Sequence, residues 1–252
     1  MNKIPIIVAY GGGTNSTALL IELFHKNIVP DLILFAETGA ERPDTYKFID
    51  IFNKWLCDVG FPEITVVKSK KGTLEQDCLD RNVLPSLAYG YRSCSDHYKV
   101  RPQHKFVKQW QLAINCWDEG NRVIRMIGFD SGEWYRMRTG DKKYDNQYPL
   151  IDWGWTRKKC IEIIKKEGLE TPGKSSCFFC PSMRKNEILT LNKIYPDLMK
   201  RALKIESNAE LTSIKGLGRN YAWKDLVAAD KSQYKLFEET DLPPTICSCY
   251  DG

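Results

Sequence analysis

The sequence predicts an α/β fold in which an open, mostly parallel sheet is followed by a helical, cysteine-containing C-terminal part. Three observations carry that prediction. Apolar β-type runs alternate with amphipathic stretches along the first third of the chain. No tight hairpin turn joins those runs, so neighbouring strands must connect through right-handed crossovers and pair in parallel. After Pro149 the strand pattern stops, and short basic helices with closely spaced cysteines take over. The expected division is an α/β domain over residues 1–150 and a helical part over 151–252.

Residues 4–10 (IPIIVAY) form the first strand, followed by a glycine turn and a helix from Ser16 to about Phe24. The second strand is 31–37 (DLILFAE). Its helix runs from about Asp44 to Leu56, with Phe48, Ile49, Phe52 and Trp55 or Leu56 at near-helical spacing. Residues 63–69 (EITVVKS) and 122–129 (RVIRMIGF) supply two more strands, with helices on both faces of the sheet. Beyond it, 156–167 is a short basic amphipathic helix, and the loop TPGKSS leads into Cys177 and Cys180. Helical patterns follow at about 185–194 and 196–207, separated by a Tyr195-Pro196 break. The tail LPPTICSCYDG is too rich in proline for regular structure.

Composition narrows the class. With 252 residues, 42% hydrophobic and 27% charged, the chain can bury a core, which excludes wholesale disorder. No apolar run approaches the ~20 residues that span a bilayer, and the first glycine turn comes too early for a signal peptide. The expectation is a cytoplasmic protein with no membrane partner. A formal charge of +5 suits an anionic ligand but does not by itself specify nucleic acid. The Lys68, Lys70, Lys71 and Lys158, Lys159 stretches could meet a nucleic acid, although such runs are more often solvated faces. Nine cysteines without an export signal argue against a disulfide framework. Cys57, Cys78, Cys94, Cys116 and Cys160 are scattered, as small buried hydrophobes are.

The sharpest signal is VAYGGGTNSTALL. A strand delivers the chain to Gly11, Gly12 and Gly13, which allow positive φ and close approach of a bound group. The first-turn amides of the following helix point to the same place, at the positive end of its dipole. Tyr10, Thr14, Asn15, Ser16 and Thr17 complete the turn, and their side chains are candidate donors and caps. The expectation is a phosphate cradle, without the lysine of a G-x-x-x-x-G-K-[ST] loop.

This segment resembles the pyrophosphate-binding loop of the adenine nucleotide alpha-hydrolase (PP-loop) group, usually S-G-G-x-D-S. Gly11 stands in place of the Ser and Asn15 in place of the Asp. Within that group the chain resembles the phosphoadenylyl-sulfate (PAPS) reductase family. FAETGAERPDTYKFI (35–49) is similar to its acidic-Thr-Gly…Pro-x-Thr segment, which would bring Glu37, Thr38 and Gly39 to the ligand. SCSDHYKVRP (93–102) is similar to its C-C-x-x-x-K-x-x-P segment, with Cys94 kept and Ser95 replacing the second Cys. IGFDSGEWYRM (127–137) is similar to G-x-R-x-x-E-S-x-R: Gly128, Glu133 and Arg136 are kept, and Asp130 replaces an Arg. CFFCP (177–181) matches C-x-x-C-P.

The resemblance implies a Rossmann-like sheet with an adenine nucleotide, ATP or PAPS, bound at residues 10–17, 37–39, Arg101, Gly128 and Arg136. Lys99 and Arg101 would neutralise phosphate or sulfate oxygens. Glu133 is expected in the active site, paired locally with Arg136. Cys177 and Cys180 are spaced to chelate one metal. Cys247 with Cys249 could close a four-thiolate site for zinc or an iron–sulfur cluster, and the rival set is Cys94, Cys177, Cys180 and one tail cysteine. As a reductase, the chain would use Cys247 or Cys249 as nucleophile and a thiol partner such as thioredoxin. The same loop also serves ATP-dependent sulfur insertion into nucleic acid, with a sulfur-donor protein. A non-catalytic nucleotide-sensing module is the third reading. Magnesium would accompany ATP.

Overall fold

The computed structural model describes residues 3–85 and 92–232, with side chains through Asp230. Cys247 and Cys249 lie outside the described residues.

Five strands form one parallel sheet in the order β3-β2-β1-β4-β5. β1 (Ile6–Tyr10) lies at its centre, between β2 (Leu32–Glu37) and β4 (Val123–Ile127). Val8 is in register with Ile33 on one side and Met126 on the other. A strand covered on both faces reads as an unbroken apolar run, which is why IIVAY and LILFA are conspicuous in the sequence. β3 (Ile64–Lys68) forms one edge. The other edge, β5 (Tyr144–Gln147), was not expected: its sequence YDNQ has one apolar residue, and it is held by pairing Val123–Met126 with Tyr144–Gln147.

Helices α1 (Thr14–His25) and α2 (Pro43–Asp58) follow β1 and β2. Their apolar sides join Val8, Tyr10, Ile33 and Phe35 in one core layer. α3 (Leu74–Asp80) starts at Thr73, whose hydroxyl accepts from the Gln76 amide at 3.2 Å. The next helical stretch begins with the short α4 (Ser93–Ser95), widens into a π turn over Asp96–Val100 and continues as α5 (Arg101–Val107). Pro102 lacks the N–H that would bond Tyr98, so the wide turn fits just before it. α5 and α6 (Gln111–Asp118) bring Val107, Ala113 and Cys116 against the opposite sheet face, on Ile7, Leu34 and Val67.

After β4 come a 3₁₀ helix (Ser131–Arg136), β5, α7 (Pro149–Asp152) and α8 (Arg157–Lys166). α8 lies past the expected boundary at residue 150, yet Cys160 and Ile164 belong to the α1–α2 core layer. His25 at the end of α1 meets Glu167 at 2.6 Å, joining the two helices. The remaining helices are α9 (Lys185–Ile194), α10 (Pro196–Asn208) and α11 (Trp223–Ser232). They enclose a second core in which Phe178 and Phe179 pack with Leu74, Tyr98, Leu191 and Trp223.

Glu206 of α10 secures this second core. Its buried carboxylate accepts from the amides of Leu217 at 2.7 Å, Trp223 at 2.8 Å and Lys224 at 3.0 Å. It thus serves the N-terminus of α11, where unpaired amides and the helix dipole favour an anion. Glu206→Ala orphans three amides and is expected to cost about 3 kcal/mol, read as a lower urea midpoint at unchanged m-value. A midpoint shift near zero would show that water replaces the carboxylate without penalty.

Candidate functional site

The carboxyl ends of β1, β2 and β4 converge on the glycine turn. Gly12 has φ +70°, a region in which a side chain is strained. Gly13 and Gly128 are required by space instead. A Cβ on Gly13 would stand 2.5 Å from the Ser175 hydroxyl, and one on Gly128 would stand 2.8 Å from the backbone N and Cα of Ser16. The turn's hydroxyls brace the loop rather than capping α1. Ser16 Oγ accepts from the Gly11 amide at 3.2 Å and donates to the Gly13 carbonyl at 3.3 Å. Thr17 meets the Tyr10 hydroxyl at 3.3 Å, and burial pushes the Tyr10 phenol above its ordinary range. The N-cap position falls on Gly13, which has no side chain to offer, so helix α1 begins one or two residues earlier than the pattern suggests.

Asn15 turns inward beneath the loop. Its Nδ2 donates to Asp130 at 3.0 Å and to Glu133 at 2.9 Å, and its buried Oδ1 has no hydrogen-bond partner. The two carboxylates orient the amide, because the opposite flip would set its oxygen against both of them. Asp130 also accepts from the Gly132 amide at 2.9 Å, and Glu133 pairs with Arg136. Arg136 lies 4.1 Å over the Phe129 ring. Glu133 is thus a buried bracket between the glycine turn and the 3₁₀ helix.

On the β2 side, Glu37 accepts from the Gly39 amide at 2.5 Å and from the Tyr46 hydroxyl at 2.7 Å. Gly39 has φ +71°, and a Cβ there would press on Thr73. Thr38 points toward Cys177, with 3.5 Å between hydroxyl and sulfur. Lys99 lies 3.4 Å from Glu41, a carboxylate buried beside Thr38. Arg101 does not join this group. It is exposed, bonds Asp96 at 2.6 Å and faces a separate groove beside β3.

Cys94, Cys177 and Cys180 line one narrow pocket of about 20 Å³, together with Ser95, Lys99 and Thr38. The Cys180 amide bonds the Cys177 carbonyl at 3.0 Å, the tight turn expected of C-F-F-C. Burial pushes the Cys94 thiol above its ordinary value, opposed by the Ser95 amide and by Lys99. Among the described residues, no three His, Cys, Asp or Glu side chains are grouped to hold a single metal ion.

Three participants were missed by sequence reasoning. Glu41 anchors Lys99, Ser175 lies over Gly13, and Arg157 of α8 donates to the Thr14 hydroxyl at 3.2 Å. Arg157 places a cation beside the positive end of the α1 dipole, an arrangement that an anion between them would relieve.

The family model of the phosphoadenosine phosphosulfate reductase domain matches residues 5–172. An uncharacterized protein of Methanocaldococcus jannaschii is 23% identical over 216 residues, 79% of this chain and 41% of that protein. Argininosuccinate synthase of Brevibacillus brevis is 26% identical over 179 residues, 68% of this chain and 40% of that protein. The chain therefore spans about two fifths of the length of these curated relatives. Among solved structures, the PAPS reductase of Candida auris in its phosphate complex superposes with a TM-score of 0.43 at 15% identity, covering 68% of this chain and 76% of that one. A U34-tRNA thiolase of Methanococcus maripaludis with its 4Fe–4S cluster gives 0.41 at 15% identity, covering 95% and 84%.

Proposed function

This chain belongs to the phosphoadenosine phosphosulfate reductase domain family, and from that premise we propose that it is an adenine-nucleotide enzyme of sulfur chemistry, with ATP-dependent sulfur insertion as its reaction. The carrying observation is the pocket that brings Cys94, Cys177 and Cys180 together beside Thr38, with Lys99 on its wall.

The phosphates would rest on the amides at the start of α1, whose place is set by the turn at Gly12 and by close packing at Gly13 and Gly128. Arg157 supplies a cation at the same place. In the reaction, an acceptor oxygen attacks the α-phosphorus of ATP and pyrophosphate leaves. A sulfur nucleophile then displaces AMP, which carries that oxygen away. The chain's own residues hold the triphosphate, screen its charge and exclude water from the adenylate.

Cys94, Cys177 and Cys180 would hold an iron–sulfur cluster, with Cys247 or Cys249 available as a fourth thiol. The donor set, three thiols lining one pocket, suits an iron–sulfur cluster or zinc. When bound, such a cluster supplies sulfur-ligated iron that can carry sulfide or electrons. Cys177→Ser with Cys180→Ser is expected to lose at least nine tenths of the iron and acid-labile sulfide of anaerobically purified protein. Retention of both would place the ligands elsewhere.

Sulfonucleotide reduction is the second reading, favoured by the family match. It would use Cys247 or Cys249 as nucleophile toward the sulfur of PAPS and a thiol partner to release sulfite. Incubating the anaerobic protein with ATP and separately with PAPS, then chromatographing the nucleotides, separates the two. AMP and pyrophosphate from ATP support sulfur insertion. Adenosine bisphosphate and sulfite from PAPS, with ATP untouched, establish reduction instead. Neither product pair would leave a nucleotide-sensing module.

A further inference from the structure

The groove that takes up Arg101 lies between β3 with its following loop and the 96–109 helical stretch. Lys68, Lys70, Lys71, Arg101 and Lys105 line it, with His97 among them and no carboxylate in its lining. Five Lys and Arg side chains without a carboxylate among them make this a strongly basic stretch of surface. The nearby acids are Asp96, engaged with Arg101 at 2.6 Å and with His97 at 3.7 Å, and Asp77, engaged with Arg81 at 3.1 Å.

The cations are set against one another. Lys70 stands within hydrogen-bonding reach of Lys105, and that contact pulls the Lys105 ammonium below its ordinary value. Partial burial lowers His97, and Lys71 and Arg101 push it further the same way. Ammonium groups held together without an acid between them repel, and an anion placed among them turns each repulsion into an attraction.

The shape selects the kind of anion. The groove has a volume of about 400 Å³ and is open to solvent, and its cations come from two different elements. A linear polyanion can engage the cations of both elements at once. Half-exposed Val66 and partly buried Phe106 line it between the charges. The groove and the cysteine pocket lie on different sides of one helical stretch: Ser95 and Lys99 line the pocket, and His97 and Arg101 line the groove.

We propose that this groove binds the phosphodiester backbone of a nucleic-acid strand. The strand is the acceptor class in the reaction proposed above; that role rests on the sulfur-insertion reading, whereas the binding itself does not.

The test is fluorescence anisotropy of a labelled 20-nucleotide RNA and its DNA counterpart, at several sodium chloride concentrations. For a single strand, log K falls by about 0.7 per neutralised phosphate for each unit of log salt, so five contacts give a slope near −3.5. Lys70→Ala with Lys105→Ala is expected to flatten the slope by about 1.4 and to weaken binding about tenfold at 0.15 M salt. ATP affinity and Tm should stay at wild-type values, because both side chains are exposed and outside the glycine turn. Unchanged strand affinity and slope in the double variant would overturn the proposal, as would no binding of either oligonucleotide by wild-type protein at 50 mM salt. Displacement of the oligonucleotide when phosphate replaces chloride at equal ionic strength would also overturn it, marking a small-anion site. Strand binding by a protein that neither binds nor cleaves ATP would leave the groove standing and remove the sulfur-insertion reading.

Discussion

Asn15→Asp should lower the melting temperature by about 10 °C at pH 7.5, although it changes one amide nitrogen to an oxygen. In the native protein that nitrogen donates to Asp130 at 3.0 Å and Glu133 at 2.9 Å, in a pocket from which water is excluded. The aspartate would put a third carboxylate against two others, replacing two charge-assisted hydrogen bonds with two repulsions. A cost of about 3–5 kcal/mol follows from exchanging paired for unpaired buried charge, and at this chain length 1 kcal/mol corresponds to roughly 2–4 °C. The sign with pH is fixed. Like charges raise the folded-state pKa of one carboxyl in the trio above its unfolded value, so the protonated form is the one folding favours. The deficit is therefore absent below the unfolded value near pH 4, and it grows until the pH passes the raised folded value. Thermal melts at pH 4.5, 6 and 7.5 read this directly. Combining Asn15→Asp with Asp130→Asn removes one of the two repulsions, leaving the one at Glu133, and should recover about half of the lost Tm. A single variant as stable as wild type at pH 7.5 would mean that the three side chains part without penalty.

That pair of residues also shows how far the sequence could be read. Asn15 and Asp130 stand out separately, each as a departure from the pattern its segment resembles. They are 115 positions apart, and only the parallel placement of β1 beside β4 brings them together. Here an amide facing a carboxylate stands where the resembled pattern has Asp and Arg, so the two departures compensate each other. The central strands were legible because burial on both faces demands continuous apolar residues. β5 was not, since YDNQ at a sheet edge needs backbone partners more than side-chain burial. Cys94 is reunited with Cys177 and Cys180 by packing of the α3–α11 core, which no spacing rule encodes. Arg101 was misdirected by its neighbour Lys99: two residues along a helix rotate a side chain by more than half a turn, so one faces the cysteine pocket and the other the basic groove.

Gly128→Ala should weaken ATP binding at least 100-fold, or about 2.7 kcal/mol, while the protein remains folded. The motif reading ranks Gly128 beside the other glycines of the site, but the geometry gives it a different task. Its backbone is not in the left-handed region, so the reason for glycine is clearance alone. An added Cβ would lie 2.8 Å from the N and Cα of Ser16 and 3.0 Å from the carbonyl carbon of Asn15. These are backbone atoms of the first turn of α1, which no side-chain rotation can move aside. The helix start must therefore retreat from β4, carrying its first-turn amides off the phosphates and stretching the Asn15 bonds to Asp130 and Glu133. Overpacking of this kind costs typically 1–3 kcal/mol, which a chain of this size can absorb, so the folding loss should be the smaller effect. Gly60→Ala is the matched control. Its added Cβ meets nothing within 4 Å, and although its φ of +78° exacts a backbone strain, the residue lies far from the glycine turn, after α2. Calorimetric titration of both variants with ATP separates the cases. Wild-type affinity in Gly128→Ala would detach the glycine turn from nucleotide binding altogether, because no phosphate held on those amides could ignore their displacement.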